Sequence, residues 1–381
     1  MANHAYLSAS SSARWLRCPP SAKLCAQEED KASPYAQQGT DAHSLAAFRL
    51  EKALGRKSRD PTEDLEFLDA EMDECADGYA EFCLQQIEEA KKKCSDPLVC
   101  IEQTVDFSKW VEHGFGTADC LIVADNTLHV IDLKYGIGVL VSASGDDDTG
   151  NSQLKLYALG ALDTFGDLYD INTIKLSIYQ PRRENVDTFV LSVEELLRWA
   201  DEILCPIAKL AYEGLGEFEA GDHCQFCKVK STCRKRAEYN LELEKYAFAL
   251  PPTLDDQEIA EILPKVDSLL SWAQDIKDFA LNQAISGVHY PGFKLVEGRS
   301  NRKYTDEVAV ARLVSDAGYE PYEKKLLGIT QMTKQLGKKR FETLLGEYVV
   351  KPEGKPVLVP ESDSRPVLDA VKNIFLQENL S

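Results

Sequence analysis

Two charged side chains lie on one short apolar stretch, residues 128–134 (Leu-His-Val-Ile-Asp-Leu-Lys), whose composition is typical of a buried β-strand. Side chains alternate between the two faces of a strand, so Asp132 and Lys134 project from the same face. A carboxylate and an ammonium group at this spacing suit phosphate chemistry. The carboxylate would bind a divalent cation, and the lysine would orient water or stabilise negative charge. A surface ion pair is the alternative that these two residues alone leave open.

A second carboxylate is expected beside Asp132. The preceding stretch is also rich in strand-forming residues, and the Asp-Asn pair at 125–126 between the two stretches suits a two-residue hairpin turn. That turn places Leu121 opposite Val130. It also places Asp119 opposite Asp132. Carboxylates at this distance repel each other, and a bound divalent cation would convert the repulsion into a binding site.

These residues and their neighbours resemble motifs II and III of the PD-(D/E)XK nuclease superfamily, in its RecB-like branch. Motif II corresponds to residues 116–119 (Gly-Thr-Ala-Asp), and motif III to residues 131–136 (Ile-Asp-Leu-Lys-Tyr-Gly). In that branch a helical histidine precedes these motifs and a Gln-x-x-x-Tyr helix follows them. His43 stands upstream in the expected order, and Gln153 and Tyr157 stand downstream.

The resemblance implies a role for each of these residues. The groups that it implies as ligands of one or two Mg2+ or Mn2+ ions are His43, Glu102, Asp119, Asp132 and the main-chain carbonyl of Leu133. For Glu102, on a predicted strand over residues 98–105, an exposed-face charge is the alternative. Lys134 would assist the attacking water. Gln153 and Tyr157, one helical turn apart, would contact a phosphate or base near the scissile bond.

The balance of charge limits how the chain would meet DNA. The 381 residues include 43 Lys and Arg against 63 Asp and Glu, so the net charge is −20. This argues against a general electrostatic attraction to nucleic acid, so contacts with DNA are expected to be local, through bound metal or a basic track. The basic and aromatic stretch at residues 298–304 is a candidate for single-strand contact, with a solvated loop as its alternative. No apolar run of membrane-spanning length and no signal-peptide pattern is present, which predicts a cytoplasmic protein.

Eleven cysteines in such a chain are expected to be small buried hydrophobes and possible metal ligands. Cys224, Cys227 and Cys233 form a C-x2-C-x5-C pattern, and Cys18 is the candidate fourth ligand. This split arrangement resembles the iron-sulfur clasp of AddB and of CRISPR-associated RecB-like nucleases. Four thiolates suit a [4Fe-4S] cluster and equally suit structural zinc. The remaining cysteines, Cys25 among them, are expected to be core residues.

The elements that carry these residues follow from local patterns. Thr40 is a candidate N-cap for a helix to about residue 54, and Asn151 or Ser152 for a helix from Gln153 to about Phe165. Together with the strands they predict an α/β fold, in which a central mixed β-sheet is flanked by helices as in restriction endonucleases. A cysteine-cluster clasp and a C-terminal helical extension complete it. We expect a nuclease core over residues 1–240 and a DNA- or partner-binding extension over residues 250–381.

The resulting hypothesis is a metal-dependent DNA nuclease, an exonuclease that serves phage or prophage recombination or DNA processing. The C-terminal part resembles a phage-associated group of RecB-like proteins. The alternative is a noncatalytic DNA-binding or assembly protein that acts with a partner such as a single-strand annealing protein or a helicase. The motifs do not distinguish DNA from RNA, and the sequence does not indicate strand polarity or oligomeric state.

Overall fold

The computed structural model describes residues 5–29, 34–145, 148–244, 254–297, 304–322 and 326–350. The chain divides into two compact units, residues 1–283 and 284–381. The basic stretch at residues 298–303 lies outside the described residues. The expected division between a core ending at residue 240 and an extension starting at residue 250 stays a prediction.

A mixed β-sheet forms the centre of the first unit. In the described part of the chain it has five strands, in the order β1-β2-β3-β4-β5. The strands are β1 (Leu98–Asp106), β2 (Phe115–Ala124), β3 (Thr127–Leu133), β4 (Thr173–Gln180) and β5 (Asn185–Ser192). Strands β3 and β4 are parallel, and the other neighbours are antiparallel. The α/β fold class with helices on a mixed sheet is thereby confirmed.

The β2-β3 hairpin has the register that its turn predicts. Leu121 pairs with Val130, and Ala124 pairs with Thr127 across the two-residue turn. Asp125 in that turn has φ of 49°, a conformation that Asp tolerates better than most residues. Both faces of the hairpin are buried, since Val130 belongs to one apolar core and its neighbour in sequence to the other. A shift of the strand register by one residue would therefore turn each of these side chains from its own core to the core on the opposite face of the sheet.

Helices cover both faces of the sheet. Helices α3 (Pro34–Ala53) and α4 (Ala70–Lys91) pack on one face, and α5 (Ser152–Phe165) forms the crossover from β3 to β4 on the other. The short helices α1 (Ser12–Arg17) and α2 (Ser21–Ala26) precede them. The helices that follow the sheet in the first unit are α6 (Val193–Trp199), α7 (Cys205–Glu213), α8 (Arg234–Leu241) and α9 (Asp256–Ile285, whose last two residues belong to the second unit).

Helix α3 begins earlier than its sequence predicts. It starts at Pro34, so the prediction that Thr40 is its N-cap is wrong. The Thr40 hydroxyl instead donates to the carbonyl of Ala36, 3.1 Å away, which is the contact of a threonine inside a helix. His43 consequently lies in the third turn of the helix, where the backbone is held on both sides by intrahelical bonds.

Helix α5 is fixed at its start and at its middle. The Asn151 side chain accepts hydrogen bonds from the backbone N–H groups of Gln153 (3.0 Å) and Leu154 (3.3 Å), which confirms the predicted cap. Further along, Gly160 lies against strand β1. A Cβ atom at Gly160 would lie only 2.9 Å from Val105 Cβ. The absence of a side chain there lets the helix approach the sheet closely.

The second unit contains helices α10 (Glu307–Asp316), α11 (Ile329–Leu336) and α12 (Lys338–Leu345). Its described helices expose several large apolar side chains, such as Val308 and Leu313. Across the described residues, no helix combines the length and the apolar character that a membrane crossing requires.

Candidate metal centre

Three carboxylates lie in one row across the sheet. The backbone pairs on either side of Glu102 keep one register, which sets Glu102 of β1 opposite Asp119 of β2. The register of β2 and β3 in turn sets Asp119 opposite Asp132, one residue beyond the end of the paired segment. Glu102 has φ of 49°, a left-handed conformation that costs a non-glycine residue about 1–3 kcal/mol. Such strain is typically retained where a side chain must point into a functional site.

His43 joins this row from helix α3. Its Nδ1 atom lies 3.2 Å from Oδ1 of Asp119. Ligand atoms of His43, Glu102 and Asp119 all lie within 4.8 Å of one another, and within the described part of the chain this is the group of His, Cys, Asp or Glu side chains that is spaced for a metal ion. Two carboxylates and an imidazole suit a hard or borderline divalent cation. The arrangement therefore fits a divalent metal site.

Asp119 is the most constrained member of the group. The backbone N–H of Leu133 donates to its Oδ2 atom at 2.7 Å, while Oδ1 faces His43. Burial alone would raise the pKa of Asp119. The charge and hydrogen bond of His43, the Leu133 N–H and the charge of Lys134 outweigh it, and the pKa is lowered. Asp119 is therefore an anion at neutral pH, as a metal ligand must be.

Asp132 is nearly inaccessible, with 2% of its surface exposed. Its Oδ1 atom accepts a hydrogen bond from Nε2 of Gln153 at 3.1 Å. Its Oδ2 atom lies 3.0 Å from Nζ of Lys134 but makes no hydrogen bond of acceptable geometry with the described residues. Burial and repulsion from Asp119 raise the pKa of Asp132, partly offset by Lys134. A buried carboxylate oxygen with this unused capacity fits a cation in the same site.

Lys134, Gln153 and Tyr157 form a chain of hydrogen bonds beside the carboxylates. Nζ of Lys134 donates to Oε1 of Gln153 at 2.8 Å, and Nε2 of Gln153 donates to the Tyr157 hydroxyl at 3.0 Å as well as to Asp132. The ring of Tyr157 passes so close to Gly116 that a Cβ there would meet Cε1 at 2.8 Å. Lys134 and Gln153, which are 19 positions apart in the sequence, thus bring the Asp-x-Lys strand into contact with the Gln-x-x-x-Tyr helix.

The pKa values of His43 and Glu102 are both raised by their surroundings. Burial alone would lower the pKa of His43, but the charge and hydrogen bond of Asp119 and the charges of Asp132 and Glu102 raise it to about 9. Glu102 is exposed, yet partial desolvation and repulsion from Asp119 raise its pKa to about 7. Both groups must lose protons to bind a cation.

The four cysteines of the predicted clasp line one pocket. Cys18 comes from the end of α1, and Cys224, Cys227 and Cys233 come from the segment before α8. Among the described residues, no three cysteine sulfurs lie within 4.8 Å of one another. A tetrahedral zinc site with Zn–S bonds of about 2.3 Å would hold them roughly 3.8 Å apart. The pocket brings the predicted thiols together at a wider spacing than zinc requires.

Cys25 is the functional candidate that the sequence pattern missed. It was expected to be an ordinary core residue, and it is buried. Its Sγ atom, however, lies 3.6 Å from Sγ of Cys227. The two residues are 202 positions apart, so no local spacing could indicate the contact. The one signal in the sequence is that Cys18 and Cys25 both lie in the short N-terminal helical segment.

These observations define a class of α/β protein, in which a mixed sheet carries across three adjacent strands an acidic group of side chains that fits a divalent metal. Residues 4–366 match the model of the family described as protein of unknown function DUF2800, and the chain belongs to this family.

Two solved structures share distant similarity with the chain. One is the crystal structure of a "putative exonuclease" from Eubacterium rectale, with 13% sequence identity, a TM-score of 0.32, and coverage of 67% of this chain and 92% of that one. The other is the crystal structure of SSO0001, with 14% identity, a TM-score of 0.22, and coverage of 50% of this chain and 95% of that one.

Proposed function

We propose that this protein is a divalent-metal-dependent deoxyribonuclease. The observation that carries the proposal is the row of carboxylates across β1, β2 and β3, with Lys134 held beside it. A metal site alone would need no lysine. A site that hydrolyses a phosphodiester needs positive charge near the phosphate as well as a cation to activate water.

The cation would be Mg2+ or Mn2+, held by side chains of four residues and one carbonyl group. The residues are His43, Glu102, Asp119, Asp132 and Leu133, the last through its carbonyl. A bound cation at this place supplies Lewis acidity to the phosphate and lowers the pKa of bound water. Oxygen ligands with one imidazole favour these ions over softer metals.

Lys134 is positioned rather than free. A hydrogen bond to Gln153 and an ion pair with Asp132 hold its ammonium group in place. From there it orients the attacking water or stabilises the negative charge that develops on the phosphate oxygens. Gln153 keeps an amide group between Lys134 and Tyr157, and in this proposal the amide and the phenol contact the nucleotide at the scissile bond.

The acidic surface of the protein bears on the kind of substrate contact. With a net charge of −20, long-range attraction to DNA is weak, so affinity must come from the site itself and its cation. This favours an enzyme that engages a DNA end or a short segment over one that tracks along a duplex by charge. Exonuclease action and a place in phage or prophage recombination follow from the resemblance to RecB-like nucleases and belong to the same proposal.

The cysteine pocket would hold a [4Fe-4S] cluster through Cys18, Cys224, Cys227 and Cys233. The four thiols converge on one pocket, and each would bind a different iron of the cluster, which holds the sulfurs farther apart than a single zinc ion does. The group would join the N-terminal helices to the segment that follows the sheet, because metal binding energy adds to folding energy. Structural zinc is the alternative. Absorbance of anaerobically purified protein separates the two, since only the iron-sulfur form is coloured.

The test is degradation of end-labelled DNA with Mg2+ or Mn2+, comparing wild type with Asp132→Asn and Lys134→Ala. Asp163→Asn is the matched control, because Asp163 is an exposed carboxylate on α5 that pairs with Lys109 only at 3.7 Å. The proposal predicts metal-dependent loss of linear DNA by wild type and the control, and more than a hundredfold slower loss by both site variants. Resistance of closed circles would establish the exonuclease mode.

Two other outcomes would change the proposal. Cleavage of RNA with DNA left intact would retain the site and replace the substrate. If wild type, control and site variants bind DNA equally and none cleaves it, the protein is a noncatalytic DNA-binding or assembly factor. A recombination partner such as an annealing protein or helicase would then be sought by co-purification.

A further inference from the structure

The end of helix α2 is joined to the cysteine segment by three contacts around Cys25. Sγ of Cys25 lies 3.6 Å from Sγ of Cys227. The backbone N–H of Lys228 points to the same Cys25 sulfur at 3.4 Å. The ammonium group of Lys228 donates to the carbonyl of Glu28 at 2.9 Å. Two distant segments of the chain are thus aligned so that one thiol faces another.

These contacts are unlike those of an ordinary core cysteine. A buried free thiol usually packs as a small hydrophobe, with apolar neighbours on all sides. Cys25 instead faces a second sulfur and receives a backbone N–H. Backbone N–H groups directed at a sulfur stabilise negative charge on it and are a common outer-shell feature of thiolate metal ligands. The surroundings of Cys25 are therefore those of a ligand.

Cys25 does not line the pocket itself but lies against one of its lining cysteines, Cys227, whereas Cys18 is part of the lining. The neighbouring thiols that act electrostatically on Cys224 are Cys233 and Cys18, whereas the thiol in contact with Cys227 is Cys25. The N-terminal segment thus supplies Cys18 to the pocket and Cys25 to the contact with Cys227, with six residues between the two in the sequence.

We propose that Cys25 is a metal-binding thiol, which binds the same metal group as Cys227 and makes the cysteine site a set of five thiols. The ligand class is an iron-sulfur cluster or a single thiophilic divalent cation. The inference rests on the proposed cysteine-held group and is independent of the nuclease site. With Cys25 as a ligand beside Cys227, removal of either Cys25 or Cys18 weakens metal binding, and the site still keeps four thiols in each single variant.

Cobalt binding tests the inference without reference to enzyme activity. Metal-free protein is titrated with Co2+ in competition with a chelator, and the thiolate-to-cobalt charge-transfer absorbance is recorded for wild type, Cys25→Ser, Cys18→Ser and the double variant. Cys94→Ser is the matched control, since Cys94 follows α4 and, unlike Cys25, has no described contact with Cys227. Thermal melts of the metal-free proteins establish that each variant is folded.

The expected result is that Cys25→Ser binds Co2+ at least tenfold more weakly than the control, with a weaker charge-transfer band. The double variant, which keeps only Cys224, Cys227 and Cys233, should show a weaker band than either single variant, while Cys18→Ser retains part of the band. If Cys25→Ser matches the control, both alone and in the Cys18→Ser background, the inference is overturned and the cysteine site keeps four thiols. If wild type binds neither cobalt nor iron, the inference and the cofactor proposal fail together.

A second measurement uses the wild-type chain alone. Limiting hydrogen peroxide oxidises two thiols to a disulfide and is itself reduced to two molecules of water. The Cys25 and Cys227 sulfurs need to approach by only about 1.5 Å to reach the bond length of a disulfide. Peptide mapping should find this disulfide in metal-free protein and little of it after Co2+ loading. An equal yield in the two states would count against Cys25 as a ligand.

Discussion

Replacing Gly160 by alanine tests whether close packing of α5 on β1 positions the site. A Cβ at Gly160 would lie 2.9 Å from Val105 Cβ and 3.0 Å from the carbonyl oxygen of Asp106. Carbon atoms normally approach to about 3.5–4.0 Å, so helix and strand must separate by roughly 0.6 Å or more. The obstacle includes backbone atoms, which cannot rotate away.

Two opposite effects determine the result of that substitution. Alanine is favoured over glycine inside a helix by about 1 kcal/mol, and overpacking of a core costs about 1–3 kcal/mol. Gly39, in α3, is the matched control, because a Cβ there meets nothing within 4 Å. Both variants gain the same helix propensity, so the difference between them isolates the steric cost. We expect Gly39→Ala to stabilise the protein by about 0.5–1 kcal/mol and Gly160→Ala to fall about 1–3 kcal/mol below it.

Urea unfolding followed by tryptophan fluorescence measures this difference as a shift in midpoint at unchanged slope. The same separation displaces Gln153 and Tyr157, which α5 carries, so Gly160→Ala should also cleave DNA more slowly than Gly39→Ala does. Equal stability of the two variants, or a more stable Gly160→Ala, would refute the reasoning. The helix would then be held to the sheet with more room than the distances indicate.

Further predictions concern protons and polar contacts in the site. Affinity for Mn2+ should rise about tenfold per pH unit between about pH 7 and 9, because His43, with a pKa of about 9, must release a proton to bind the cation. Below about pH 7 the Mn2+ affinity should depend on pH more steeply, since Glu102, with a pKa of about 7, also gives up a proton on binding. Calorimetry in buffers of different ionisation enthalpy measures the number of protons that His43 and Glu102 release. Lys134→Ala should slow cleavage at least a hundredfold yet leave Mn2+ affinity within a few fold, and a large loss of affinity would assign Lys134 to metal retention instead. Gln153→Ala should slow cleavage more than Tyr157→Phe does, because the Gln153 amide contacts three site residues, whereas the Tyr157 hydroxyl accepts one hydrogen bond, from that amide. A lower kcat for Tyr157→Phe than for Gln153→Ala would contradict this arrangement.

Local patterns were sufficient where one short segment determines the outcome. The Asp-Asn turn fixed the hairpin register, and Asn151 fixed the start of α5, because a turn or a cap acts within a few residues. The start of α3 was misplaced, since Thr40 also suits a helix interior once its hydroxyl bonds to a carbonyl one turn back.

Contacts between segments that are distant in the sequence could be recognised only in the structure. The strained backbone of Glu102 aims its carboxylate at Asp119 only because β1 pairs with β2 in one register. The Cys25–Cys227 contact depends on where α2 meets the segment before α8, and no spacing in the sequence encodes that meeting. The raised pKa of His43 likewise follows from the three carboxylates around it, and that of Glu102 from desolvation and from repulsion by Asp119.

The most direct test of the central claim is the rate at which acid-soluble nucleotides are released from linear DNA as Mn2+ is titrated, for wild type and Asp119→Asn. Asp119 lies in the middle of the carboxylate row, and the isosteric amide removes its charge and keeps its shape. The proposed site predicts a rate that saturates with Mn2+ in wild type and is lost at every Mn2+ concentration in Asp119→Asn. Equal, Mn2+-independent release by the two proteins, or no release by wild type, would contradict it.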